Sequence, residues 1–197
     1  PPRSSNIGEI IFEIRDWNVY HPLHEDRKVS NNVNLNVRRG EVVGIAGLMG
    51  AGRTELAMSI FGRSYGTRIS GKAYKYGKEV DLSSIDKAIE NGVAYLTEDR
   101  KSYGLVLIEE IKDNITITNL EAIADAKVVI NEPKEMTVTG EYKEKLNIKC
   151  SSKWATPERP GRSSFDPTWY QMFTAATGSE GSRCTITLSP FASVNWV

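Results

Sequence analysis

The chain has 197 residues, 40% of them hydrophobic and 25% charged, which is enough for one domain with a sizeable core. Lys+Arg and Asp+Glu balance at 25 each, so the basic excess or stripe of a nucleic-acid binder is missing and no nucleic-acid partner is expected. Cys150 and Cys184 make neither a metal-ligand spacing nor a disulfide framework, and they read as unrelated thiols of a reducing compartment.

No apolar run reaches the ~20 residues that span a bilayer, and no basic-then-apolar leader opens the chain. A cytosolic protein is expected, unless it docks on a membrane partner. Residues 1–8 begin Pro1-Pro2-Arg3-Ser4-Ser5-Asn6 without an initiator Met. They read as an exposed linker within a longer polypeptide.

In chain order, Glu9 to Val19 alternates and is rich in Ile, which predicts a strand. Asn32 to Val37 alternates polar and apolar strictly, which predicts a second strand with one buried face. Glu41 to Ala46 is a short apolar run suited to a strand buried on both faces. A glycine-rich loop follows, and Thr54 to Phe61 has helix-forming composition ended by Gly62. Gly71 and Gly77 punctuate Ile69 to Leu82, as in a small antiparallel hairpin.

Ser83-Ser-Ile-Asp86 is a capping-box pattern that opens a helix through Glu90, closed by Asn91-Gly92. Val93 to Leu96 predicts another buried strand, running into the charged cluster Thr97-Glu-Asp-Arg-Lys101. Ile108 to Ala126 and Gly140 to Leu146 are expected to be mostly helical, with Pro133 between them. From Ser151 onward the chain is crowded with Ser, Thr, Gly, Pro and Trp, and no amphipathic period is visible.

The firmest chemistry lies in Gly47-Leu-Met-Gly-Ala-Gly-Arg-Thr54. A phosphate cradle needs glycines, because the backbone must curl with several N–H groups pointing inward and a Cβ would block that curl. The following helix adds the partial positive charge of its N-terminus. Against the pattern G-x-x-x-x-G-K-[ST], the chain matches at Gly47, Gly52 and Thr54 and carries Arg53 where Lys is expected. Gly50 and Ala51 complete the curl. Arg is a planar fork with a different reach from a Lys ammonium, so nucleotide binding survives the change better than fast hydrolysis. Thr54 still offers a hydroxyl to Mg²⁺.

Glu98 and Asp99 follow a strand end, where ligands gather in α/β sheets. Two carboxylates there suit Mg²⁺ or a water beside a γ-phosphate, and a solvated charged turn fits the same residues equally well. Among Trp17, Tyr20 and His21, one ring is a candidate for stacking on adenine, with packing at a strand edge as the alternative. His21 and His24 lie too close to turn residues for a catalytic assignment.

Gly44-Ile-Ala-Gly-Leu-Met-Gly-Ala-Gly-Arg-Thr-Glu-Leu56 and Ala94-Tyr-Leu-Thr-Glu-Asp-Arg-Lys-Ser-Tyr-Gly-Leu105 resemble the second nucleotide-binding domain of bacterial monosaccharide ABC importers. Trp17-Asn-Val-Tyr-His-Pro22 and Ile60-Phe-Gly-Arg-Ser-Tyr-Gly66 look most like the xylose or multiple-sugar branch. The resemblance implies an α/β fold: a partial P-loop NTPase of the ABC ATPase type, with an antiparallel β subdomain and a helical subdomain.

It also makes Arg53 a family trait. ATP and Mg²⁺ are the implied cofactors, held by Gly47, Gly50, Ala51, Gly52, Arg53 and Thr54. Tyr20 is implied at adenine, and Glu98 at the Q-loop position that senses the γ-phosphate and Mg²⁺. The implied partners are membrane permease subunits, a second nucleotide-binding domain and, indirectly, a periplasmic or extracellular sugar-binding protein. The implied location is the cytoplasmic face of the membrane.

The expected organisation is a linker over 1–8, a partial nucleotide-binding domain over 9–149 with its helical part at about 105–149, and an atypical tail over 150–197. The family continues with Leu-Ser-Gly-Gly, an apolar strand ending in Asp-Glu-Pro-Thr, and a switch His. None of these stands in this sequence. The tail is therefore expected to be disordered or out of frame, and the chain alone to lack a complete hydrolytic site. A soluble P-loop kinase or GTPase, or a non-catalytic interaction module, would share the loop without the rest.

Overall fold

The computed structural model describes residues 7–97, 99–126 and 128–150, together with 184–187; residue 100 and residues 184–187 are described by their backbone alone. The chain divides into two units, residues 1–98 with 181–197 forming the first and residues 99–180 the second.

The first unit is built on a four-stranded antiparallel sheet of order β2-β1-β3-β4: β1 is Ile10–Tyr20, β2 Lys28–Arg38, β3 Thr67–Lys75 and β4 Lys78–Val80. Burial along β1 follows Phe12 and Ile14, then jumps to Trp17 and Val19. The pairing register shifts between Ile14 and Trp17, and Asp16 takes φ 53 there. One extra residue in a strand reverses which face the following side chains point to. Trp17 is thereby turned into the core, where its Nε1 donates to Ser59 Oγ at 2.9 Å. Asparagines supply partners around the bulge: Asn34 Oδ1 accepts from the Asp16 amide at 3.0 Å, and Asn18 Oδ1 from the Asn32 amide at 3.0 Å.

Both strands expected first in the chain form: β1 lies one residue later than predicted, and β2 extends beyond its prediction at both ends. The hairpin expected from Gly77 also forms. Tyr76 and Gly77 take φ 49 and 74 between Lys75 and Lys78, as a two-residue type I′ turn requires.

Helix α1 (Arg53–Ile60) packs Leu56 and Ile60 into the core formed with β1. Gly62, at φ 68, ends it, and a Cβ there would lie 2.4 Å from the Ile85 amide nitrogen. Helix α2 (Ile85–Glu90) is capped by Ser84, whose side chain accepts from the Lys87 amide. The cap falls one residue later than predicted because Ser83 is held in a turn, its amide donating to Asp81 Oδ1 at 2.8 Å. Strand β5 (Val93–Leu96) forms as expected.

Glu41 to Ala46 does not form the predicted buried strand. Val42 is 88% exposed there, because no strand among the described residues lies beside it to take up its backbone groups. Within the expected tail, the described residues are Cys150, which packs against the Ile111–Ile115–Ile148 cluster, and strand Cys184–Thr187, numbered β8 below, which pairs in parallel with β5 in the register Val93↔Cys184. The remainder of the expected tail lies outside the described residues.

The second unit is mainly helical. It comprises α3 (Ile111–Thr116), a 3₁₀ turn (Ile117–Asn119), α4 (Leu120–Ile123), a short hairpin of β6 (Ala124–Asp125) and β7 (Val129–Ile130), and α5 (Glu132–Lys145). Ile108 to Ala126 is mostly helical, as expected, but the helix starts at Ile111, is interrupted by the 3₁₀ turn and gives way to β6 at Ala124. Asn114 pins the incoming turn, its Oδ1 accepting from the Val106 amide at 2.8 Å and its Nδ2 donating to Val106 O at 3.0 Å. Thr116 Oγ1 then bonds back to Lys112 O at 2.9 Å, a competitor to helix propagation.

Pro133 does not separate two helices; it sits inside the first turn of α5, where its missing N–H would have no intrahelical acceptor. Asn131 caps this helix, accepting from the Lys134 amide at 3.0 Å. Asn131→Ala should therefore cost about 1 kcal/mol, read as a lower urea midpoint for loss of α5 amide protection. Ile111, Ile115 and Ile148 form the buried centre of this unit.

Candidate functional site

The glycine loop emerges between the exposed segment ending at Ala46 and the N-terminus of α1. Leu48 and Met49 point outward, at 85% and 97% exposure. The Ala51 amide donates to Leu48 O at 3.0 Å, closing a turn whose third residue, Gly50, has φ 79. A positive φ at that place is what a type II turn demands. Gly52 follows as the cap of α1, also left-handed at φ 79, with no side chain capping the first amides of the helix.

Its position is also closed to a side chain. A Cβ on Gly52 would lie 2.9 Å from Val29 O and 3.1 Å from Val29 Cγ1. The loop is thus pressed against the start of β2. At Gly47 the crowding comes from the loop itself: a Cβ would meet Ala51 Cβ at 3.1 Å, Arg53 Cδ at 3.5 Å and Arg53 Nε at 3.7 Å. The Arg53 side chain therefore folds back against the first glycine, with Cδ and Nε beside it.

Ala51, Gly52 and Arg53 line a cavity of about 350 Å³ together with the 29–35 stretch of β2, Ile45, Ala46 and Leu56. Thr54 is the second residue of α1 and is partly buried. Six of the predicted residues, Gly47 and Gly50 through Thr54, are therefore brought together on one loop and helix start.

Tyr20 ends β1 directly opposite Lys28. The bulge that buries Trp17 and Val19 leaves Tyr20 on the other face, partly exposed. Lys28 Nζ stands 5.4 Å from the centroid of the Tyr20 ring and donates to Asn31 Oδ1 at 3.1 Å. Since Val29 touches Gly52, the strand end bearing Tyr20 and the phosphate loop share one rim of the unit. Trp17 is excluded as a stacking ring by its 2% exposure. His21 belongs to a turn, its Nδ1 accepting from the amides of Leu23 at 3.1 Å and His24 at 3.2 Å. Burial, followed by the Glu55 carboxylate, pushes the Tyr65 phenol up, and Arg27 opposes this.

Glu98 lies outside the described residues. Its neighbour Asp99 caps a single wide turn over Arg100–Gly104, accepting from the Ser102 amide at 3.1 Å. The Ser102 side chain, with that amide, holds the Asp99 carboxyl below its ordinary value. Among the described residues no group of three His, Cys, Asp or Glu is placed to hold a metal, and no helix is long and apolar enough to cross a membrane.

Lys28, which pairs with Tyr20, and Val29, which closes against Gly52, were not legible as site residues. The signal was available in the hairpin register, which sets Lys28 across from Tyr20 once both strands are extended to the turn.

The ABC transporter family model matches residues 30–152. An L-arabinose transport ATP-binding protein of Geobacillus stearothermophilus is 53% identical over 152 residues, covering 77% of this chain and 29% of that protein. A xylose import ATP-binding protein of Thermoanaerobacter pseudethanolicus is 41% identical over 149 residues, covering 75% and 29% respectively. A ribose import ATP-binding protein of Bacillus cereus is 41% identical over 152 residues. The chain thus spans 29% of the length of these curated relatives.

A nucleotide-free ATP-binding cassette from an ABC transporter shares the fold at TM-score 0.62 and 16% identity, over 86% of this chain and 66% of the other. The phosphate-loop geometry, the antiparallel and helical units and these matches converge: the chain belongs to the ABC transporter family.

Proposed function

We propose that this chain is part of the ATP-binding subunit of an ABC importer, in which ATP binding and hydrolysis drive monosaccharide uptake. The observation that carries this reading is the glycine loop locked against Val29, with a cation and a hydroxyl at its helix end, in a chain 53% identical to a sugar transport ATP-binding protein. The relatives name arabinose, xylose and ribose, all pentoses. The xylose assignment expected from Trp17 to Pro22 competes with arabinose, which the higher identity favours. By its Arg53-Thr54-Glu55 variant, the chain corresponds to the second of two nucleotide-binding domains.

In this reading the amides from Gly50 to Thr54 and the Arg53 cation receive the phosphates, and Tyr20 stacks on adenine. Mg²⁺ in such sites takes few protein ligands, the remainder being phosphate oxygens and water. The partly buried Thr54 hydroxyl suits a single protein ligand, with Glu98 beside the γ-phosphate. When bound, the ion supplies charge neutralisation. Arg53 orients the phosphates, and Tyr20 fixes the base. The helical part, at about 105–149, docks on the permease at the cytoplasmic face, and a second nucleotide-binding domain and a sugar-binding protein complete the transporter.

The test is calorimetric titration of the purified chain with Mg·ATP, together with phosphate-release kinetics. ATP binds and turnover stays at background, because the signature and Asp-Glu elements are not in this sequence. Failure to bind ATP overturns the reading, and robust turnover by the chain alone overturns its assignment as an incomplete site.

A further inference from the structure

We propose that Lys28 is a positioning residue for the nucleotide base, acting through Tyr20; this rests on the assignment of Tyr20 to the base. Three observations on β1 and β2 carry it. Tyr20 and Lys28 are directly paired across the hairpin, so their side chains leave the same face. The Lys28 ammonium lies 5.4 Å from the ring centroid, within the range of a cation–π contact. Asn31 Oδ1, accepting from that ammonium at 3.1 Å, holds it in place instead of leaving it to sweep through solvent.

A phenol ring has two faces. The cation occupies the region over one of them, leaving the other to a ligand and restraining the ring from turning. The same charge draws electron density from the ring. The free face then stacks better on an electron-rich purine than on a pyrimidine. Because Val29, the next residue, is fixed against Gly52, the base platform and the phosphate loop keep a constant spacing along the rim. Lys28 thus sets base affinity and purine preference without needing to touch the phosphates.

The experiment measures dissociation constants of ATP, CTP and inorganic tripolyphosphate on the full chain, for wild type, Lys28→Met, Lys28→Arg and Lys28→Met in a Tyr20→Ala background. Lys28→Met keeps the aliphatic stem and removes the charge. It should weaken ATP by about 2- to 5-fold, the scale of an exposed cation–π contact, and narrow the ATP-to-CTP ratio while leaving tripolyphosphate unchanged. Lys28→Arg should restore ATP binding, and in the Tyr20→Ala background the methionine should have no further effect.

Equal weakening of ATP and tripolyphosphate would overturn the proposal by placing Lys28 on the phosphates, as would an unchanged ATP constant in Lys28→Met. Wild type that binds tripolyphosphate but shows no preference for ATP over it removes Tyr20, and Lys28 with it, from the base. Wild type that binds neither ligand overturns the nucleotide-binding reading itself.

Discussion

Gly52→Ala should weaken ATP binding at least about tenfold, equivalent to about 1.4 kcal/mol, while Gly50→Ala should weaken it far less. Both glycines have φ 79, so each alanine carries the left-handed strain of about 1–2 kcal/mol. They differ in what surrounds them. A Cβ at Gly50 has nothing within 4 Å, whereas at Gly52 it meets the Val29 carbonyl oxygen at 2.9 Å. That oxygen belongs to backbone, so relief requires the loop to lift from β2 or the start of β2 to move. Either displacement separates the α1 amides from the strand end bearing Tyr20 and Lys28. The pair is measured by calorimetry on the full chain, with thermal unfolding to separate loss of fold from loss of site. Equal losses at the two positions would show that the contact with Val29 has no part in shaping the site.

The glycine loop was legible because its chemistry is local: a turn that needs positive φ names its residues in sequence. The same holds for Gly77 in the hairpin turn, for Asn91-Gly92 as a helix stop, and for the alternation that makes β2. What escaped was non-local. Trp17 stands with Tyr20 and His21 as a candidate ring in the sequence, because nothing there announces the bulge at Asp16 that reverses the faces of β1 and seats the indole on Ser59.

The apolar run Glu41 to Ala46 has the composition of a central strand, yet a central strand exists only where neighbours take its N–H and C=O groups. Propensity is silent on that supply. Pro133 was misread as a separator because proline is equally at home in a first helical turn, and only the cap at Asn131 decides between the two. Lys28 stayed hidden because charged residues near a turn are common, and its role comes from what stands opposite it. Among the site residues, the loop was therefore readable and the platform beside it was only half so.

The second large effect belongs to the helical unit, where Lys112→Met should cost about 3 kcal/mol, the low end for breaking a buried ion pair. The Lys112 side chain is 14% exposed and lies 2.7 Å from Asp113 Oδ1, 3.6 Å from Glu110 Oε2 and 3.6 Å from Glu135 Oε2. Glu135 is 4% exposed, and its Oε1, 2.8 Å from Thr116 Oγ1, shares the single hydroxyl proton with Lys112 O. Without the ammonium, the buried Glu135 carboxylate loses its cation, with the partly exposed Asp113 and Glu110 carboxylates close by.

Glu135→Gln should be much milder, at about 1 kcal/mol. It keeps an acceptor for Thr116, leaves Asp113 and Glu110 on the lysine, and lowers the negative excess. The two variants are compared by urea dependence of amide exchange in α3 and α5. Similar costs would mean that packing of the lysine stem, rather than its charge, holds the helices together.

The pH dependence gives an independent check. The hydrogen bond to Asp113, reinforced by the charges of Asp113, Glu135 and Glu110, raises the Lys112 pKa above the ordinary lysine value of 10.5. A group with a raised folded pKa contributes fully below its unfolded value and loses that contribution as pH climbs through the folded one. The unit should therefore keep this stabilisation up to about pH 10.5 and lose it above, and Lys112→Met should remove that part of the alkaline limb while lowering stability throughout the neutral range.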